Sequence, residues 1–169
     1  MRPLGECLNQ SRWTEVLATF FYLGKAPYMK GTVGTLGAIP LIFLFNLGGV
    51  TIYVALTFAF TLFAWGICEA YEFSSQNHDS PEVVIDEVAG YLVAMVWMPM
   101  TWQAFVYTFV AFRVLDILKP PPISWLDKNV RGGFGVLVDD VLAGVIVNFG
   151  MQFVYSQTDW LGVQYVVGS

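Results

Sequence analysis

Residues 135–155 read GVLVDDVLAGVIVNFGMQFVY. The run is long enough to cross a bilayer, holds two adjacent acids, Asp139 and Asp140, near its head, and has no further charge behind them. Such a segment belongs to a membrane helix, and the composition extends that reading to the whole chain. Of 169 residues, 56% are hydrophobic and only 12% charged, against roughly 25% charged in a soluble domain; the mean hydropathy is +0.60. Apolar segments take up most of the length, so residues 1–169 make a single domain with no room for a separate soluble module. The net charge of -5 and the scattering of Lys and Arg in ones and twos exclude a nucleic-acid-binding stripe. Cys7 and Cys68 fit neither a redox pair nor a zinc framework and read as small apolar fillers. The N-terminus, with Glu6 and Glu15 and no clear cleavage site, does not read as a signal peptide.

Working outward, apolar Trp13, Val16, Leu17, Phe20 and Phe21 recur at three- and four-residue spacings. This predicts an N-terminal amphipathic helix lying at the membrane interface. A glycine-rich link, GKAPYMKGTVGTLGAIP (24–40), follows. Residues 36–47 and 50–68 form a hairpin around the turn signal NLGG. After the polar loop EAYEFSSQNHDSPE (69–82), Ser80 and Pro81 open a helix over 81–98, about 27 Å long at 1.5 Å per residue, which Pro99 ends. Residues 102–118 are the next arm. KPPPISWLDKNVRGGFG (119–135), with three consecutive prolines and paired glycines, reads as a stiff connection without regular helix. The last helix spans 136–155. The expectation is an all-α, polytopic membrane bundle of about five membrane helices. Lys25, Lys30, Arg113, Lys119, Lys128 and Arg131 fall in one set of loops while the NLGG and PMTW turns are uncharged, so that charged side is cytoplasmic.

This topology brings five carboxylates to similar depth: Asp86, Glu87, Asp116, Asp139 and Asp140. In DEVAG (86–90) and DDVLAG (139–144), Gly90 and Gly144 lie one turn beyond an acid, and small residues there let two helices approach closely. Carboxylates gathered in a membrane need a cation, and hard oxygen ligands near water suit Mg²⁺. The plainer alternative, that acids cap helix N-termini, fits Asp116 badly, because it sits near a C-terminus and opposes the dipole. Arg113 and Lys119 flank Asp116 at three-residue spacing, with Lys128 and Arg131 following; beside a divalent cation they make a seat for phosphate, although each also serves topology alone. KGTVGTLG (30–37) offers backbone amides, Thr32 and Thr35 to an anion but is not a P-loop. His78, the only histidine, is a loop residue that could serve as a general acid or support the metal. No GxSxG elbow or CxxxxxR loop occurs, so metal-dependent attack by water is the better chemical class.

VVIDEVAG, FRVLDILKPPPISWLDKNVRGGFGVLVDDVLAG and KGTVGTLGAIPL together resemble the signatures of the phosphatidylglycerophosphatase A family of bacterial inner-membrane lipid phosphatases. The resemblance covers about residues 15–150. Two positions depart from the family pattern: Lys30 replaces a proline before the first GT, and Pro121 a tryptophan between prolines. The resemblance implies Mg²⁺-dependent removal of the terminal phosphate of phosphatidylglycerophosphate, a membrane lipid, to give phosphatidylglycerol. It places Asp86, Glu87, Asp116, Asp139 and Asp140 in the acidic core and Arg113 and Lys119 near the phosphate. Our own inference from the residues is that Asp86, Asp139 and Asp140 hold the metal, Asp116 or Glu87 handles the water, and Lys30, Thr32, Thr35, Lys128 and Arg131 contact substrate. The residues themselves leave the roles within the five interchangeable. The active site would face the cytoplasm. A cation or proton translocator would need acids along the whole path, and here none occupies a helix middle. A metal-stabilised subunit without activity is a further class. A CDP-alcohol phosphotransferase would show DG pairs, and the sequence has none.

Overall fold

The computed structural model describes residues 12–75 and 80–163, and every regular element among them is a helix. Residues 12–18 form α1; a short 3₁₀ turn at Leu23–Lys25 leads to α2 (Lys30–Asn46), α3 (Gly49–Ser75), α4 (Ile85–Ala94), α5 (Trp102–Leu118), α6 (Ile123–Asn129) and α7 (Gly133–Gln157). α1 stops at Ala18, short of the Phe20 and Phe21 that the apolar spacing included, both of which take positive φ; Cys7 and His78 lie outside the described residues.

At the centre stands α4. Val88, Ala89, Tyr91, Leu92 and Ala94 are fully buried, with α2, α3, α5 and α7 packed round it. Its closest neighbour is α7, and two glycines explain why. A Cβ on Gly90 would lie 2.6 Å from the Asp140 carbonyl oxygen, and one on Gly144 would collide with the Gly90 carbonyl. The small residues therefore meet each other across the crossing, as the paired motifs predict.

α4 differs from expectation in length. It begins at Ile85 rather than at Pro81, because residues 81–84 run through a turn in which Val83 N–H donates to Ser80 O and Val84 N–H to Ala18 O. It ends at Ala94 rather than near Pro99, and Trp97 then takes a left-handed conformation, φ 59°. The carbonyls released at this end lie inside the bundle and must find donors. Tyr53 Oη donates to Leu92 O at 2.9 Å, and Asn148 Nδ2 donates to Ala94 O and Val96 O at 3.0 and 2.7 Å. Gln152 Nε2 adds a bond to Val96 O at 3.1 Å.

Three further boundaries move, the first being α3, which runs on to Ser75 through residues 69–75 that were expected in the polar loop. Residues 30–35, expected in a link, are the first turns of α2, where Gly34 is buried and a Cβ on it would meet Val84 Cβ at 2.5 Å; the glycines serve helix contact rather than flexibility. The connection after α5 contains a helix, α6, since the prolines precede it at positions where no intrahelical N–H is required. Residues 102–118 form α5 as expected.

α3 and α7 are long and apolar enough to cross a membrane. α2 and α5, 17 residues each, reach about 26 Å at 1.5 Å per residue, just short of a ~30 Å hydrocarbon core. The outer faces are apolar: Phe58 on α3, Val110 on α5, and Phe149 and Phe153 on α7 are all more than half exposed.

Candidate active site

At the end of the bundle where α4 and α7 begin and α5 ends, a cavity of about 380 Å³ is lined by Lys30, Gly31, Ser80, Pro81, Val83, Asp86, Glu87, Asp116, Lys119, Val136, Asp139 and Asp140. All five carboxylates singled out in the sequence therefore share one wall. They come from three helices. Asp86 and Glu87 occupy the first turn of α4, and Asp116 the last turn of α5. Asp139 and Asp140 are deeper than their sequence suggests: α7 starts at Gly133, so they stand about 10 Å along its axis at 1.5 Å per residue. That depth removes the helix-capping explanation for the pair, because the dipole acts within the first turn.

Asp86, Asp139 and Asp140 are 7, 4 and 4% exposed. Charges this deep need partners, and two cations provide some. Arg113 Nη1 donates to Glu87 Oε1 at 3.0 Å and also to Asp116 Oδ2. Lys119 Nζ donates to Asp139 Oδ2 at 2.6 Å and to Asp127 Oδ1 at 2.5 Å. Partial burial lowers the pKa of this ammonium, but the hydrogen bonds to Asp127 and Asp139 outweigh it and raise the net value above that of an ordinary lysine; Lys119 stays charged at working pH. Two carboxylate oxygens, Glu87 Oε2 and Asp139 Oδ1, are buried without a partner, as is Arg113 Nε. Five acids against two touching cations leave a surplus of negative charge around open oxygens.

The donor set suits a hard divalent cation in chemistry: carboxylate oxygens, unpartnered in part, beside a water-accessible cavity. No three of them stand in a ready metal arrangement among the described residues; Arg113 and Lys119 hold Glu87, Asp116 and Asp139 in ion pairs instead.

The predicted substrate contacts divide. Lys30 lines the cavity mouth, 3.8 Å from Glu82. Thr35 is fully buried and its hydroxyl donates to Gly31 O within α2, away from the cavity lining. Thr32, Lys128 and Arg131 are not among the lining residues either. What replaces the expected glycine cradle is the N-terminus of α2, whose N-cap residue Met29 offers no side-chain acceptor, so among the described residues its first amides, at Lys30 and Gly31, stand uncapped by their own N-cap beside the cavity. Gly31 makes this approach possible, since a Cβ there would strike the Glu87 carboxylate and come within 2.8 Å of Arg113 Nη2.

Two acids that the sequence did not single out support the site from outside. Asp127, on α6, is the outer partner of Lys119. Glu69, on α3, accepts the Gly133 amide through Oε2 at 2.9 Å and so caps the helix that carries Asp139 and Asp140. Both lie in polar stretches, where a charge draws no notice; the helical spacing of Glu69 beside buried Cys68 was the available signal.

Residues 16–155 match the phosphatidylglycerophosphatase A family profile. The phosphatidylglycerophosphatase A of Escherichia coli is 35% identical over 140 residues, which cover 82% of this chain and 81% of that protein. That of Haemophilus influenzae is 36% identical over 143 residues, covering 82% and 88%. No solved structure matches. The matched span holds all five cavity carboxylates with Arg113 and Lys119, and the chain belongs to the phosphatidylglycerophosphatase A family of phosphatases.

Proposed function

We propose that the chain is a Mg²⁺-dependent phosphatase of the bacterial cytoplasmic membrane that hydrolyses the terminal phosphomonoester of phosphatidylglycerophosphate, releasing phosphatidylglycerol and inorganic phosphate. The observation that carries this reading is the single cavity in which five carboxylates face Lys30, Lys119 and the open start of α2. Carboxylate oxygens beside ammonium groups in one cavity support a seat for a metal and an anion together.

On this reading α2, α3, α4, α5 and α7 cross the membrane, α4 as a broken helix, and α1 lies at the interface. The basic loops favour a cytoplasmic position for the cavity. A phosphate headgroup resides at that depth, so the lipid need not leave the bilayer to react. Asp86, Asp139 and Asp140 would hold Mg²⁺, which supplies Lewis-acid withdrawal of charge from the phosphoryl oxygens. Lys30 and the first amides of α2 would bind the phosphate from the opposite side, and Lys119, which lines the cavity, would stabilise the charge that builds on its oxygens, with Arg113 behind it holding Glu87 and Asp116. Between Glu87 and Asp116, both lining the cavity, Glu87 is assigned as the base because its buried Oε2 has no hydrogen-bond partner and so keeps unused acceptor capacity. It takes a proton from water as the water oxygen bonds to phosphorus. The bond from phosphorus to the glycerol oxygen breaks with its electron pair on that oxygen, which recovers the proton from Glu87. Asp116 keeps Arg113 aligned.

A translocator would require charged or titratable groups along the bundle. The polar groups deeper in, Asn148 and Gln152, are neutral and tied to backbone carbonyls. The deciding experiment measures inorganic phosphate released from phosphatidylglycerophosphate by the purified protein in detergent, with Mg²⁺ and then with EDTA. Release that requires Mg²⁺ is expected; no release with any divalent ion would sink the reading.

A further inference from the structure

Lys119 bridges two acids in different surroundings. Asp139 is in the cavity wall; its Oδ2 takes the ammonium at 2.6 Å while its Oδ1 is buried and open. Asp127 is outside the lining, its side chain 32% exposed, and its Oδ1 takes the same nitrogen at 2.5 Å. The Lys119 backbone is fixed too: it closes α5 in a left-handed conformation, φ 41° and ψ 57°, with its N–H bonded to Leu115 O. The stem of the side chain therefore leaves in a set direction, and what remains to be determined is where its flexible end rests.

We propose that Asp127 is a positioning residue for the phosphatase: it anchors the Lys119 ammonium on the outer side, so that Lys119 holds Asp139 by one oxygen and leaves the other without a partner. This rests on the phosphatase reading. Lysine is a long, mobile side chain with three donors and no fork geometry. Released from Asp127, the ammonium of a residue that itself lines the cavity is free to reach the neighbouring Asp116 or Asp86, and there it competes with a divalent cation for the same oxygens. An exposed ion pair contributes little to stability by itself; here its effect is on where a charge stands. α6 matters for the same reason. Its buried Ile123 seats the helix against α7, which sets Asp127 within reach of Lys119.

The test uses the full chain in detergent, with Asp127→Asn, Asp127→Glu, Lys119→Gln and the double variant Asp127→Asn/Lys119→Gln. Phosphate release gives kcat and KM, and Mn²⁺ binding followed by electron paramagnetic resonance reports the site without catalysis. Asp127→Asn is expected to lower kcat about tenfold, near the 1.4 kcal/mol that a tenfold change represents, with KM for the lipid little changed and Mn²⁺ binding weakened. Asp127→Glu restores part of both, and Asp127→Asn has no further effect once Lys119 is Gln. Losses that multiply in the double variant, or a fall in activity matched by a fall in thermal midpoint with Mn²⁺ binding intact, would overturn the proposal. If the wild type binds Mn²⁺ and Asp127→Asn weakens that binding but no phosphate is released, the positioning role stands and the assigned reaction falls.

Discussion

Asp139 carries two oxygens with opposite fates, one held by Lys119 and one buried and open. Asp139→Asn keeps the shape but loses the charge, and is expected to reduce phosphate release at least about a hundredfold, the scale of losing one electrostatic contact at a reacting phosphate. The thermal midpoint should move little, because relief of repulsion within the acidic cluster offsets the loss of the Lys119 pair, and Lys119 keeps Asp127 as a partner. Near-normal turnover would show that Asp139 is not a ligand. Lys30→Ala should act on binding alone, raising KM several-fold with kcat held, as removal of uniform binding does; an unchanged KM would exclude Lys30 from the phosphate seat. The five acids were legible in the sequence because a charge inside an apolar run is costly and therefore conspicuous. Thr35 shows the opposite case: a hydroxyl in a glycine-rich stretch reads as an anion donor, yet it bonds a carbonyl of its own helix, and no local pattern distinguishes the two.

The crossing of α4 and α7 depends on two residues with no side chain. Gly144→Leu would drive carbons into the Gly90 carbonyl, and backbone has little freedom to retreat. The expected cost is about 3 kcal/mol or more, read as loss of folded protein in detergent and loss of activity together; a stable, active Gly144→Leu protein would mean that the helices are farther apart. Glu69→Ala should cost about 1 kcal/mol, the usual size of a lost N-terminal cap, measured by denaturant unfolding, while Glu69→Gln retains most of it. The element boundaries were less legible than the acids. Residues 102–118 were unambiguous because a largely apolar sequence, with Arg113 and Asp116 only near its end, lies between Thr101, which caps the helix, and Pro120. α4 was overextended because Val93, Met95, Val96 and Met98 continue the apolar pattern past the point where the chain leaves the helix. The stop is set by Tyr53, Asn148 and Gln152, which come from two other helices and are invisible to a local reading. α6 was missed because prolines that forbid a helix through themselves favour one just after.

For the whole molecule, the charged loops and the apolar flanks predict an orientation. A cysteine introduced at Lys128 should react with an impermeant maleimide in inverted membrane vesicles and not in right-side-out ones, and one introduced at Thr101 should do the reverse. The same labelling at both positions would overturn the five-crossing arrangement. The broken helix has a consequence for what happens after the reaction. Below the carboxylates the interior is closed by Tyr91, Leu92 and Met95, each with no exposed surface, and below them the loose carbonyls are tied off by side-chain amides. The bundle interior is thus a cup rather than a pipe, and on the proposed topology whatever is released from the acidic end returns to the compartment that end faces, with no leak opened through the membrane.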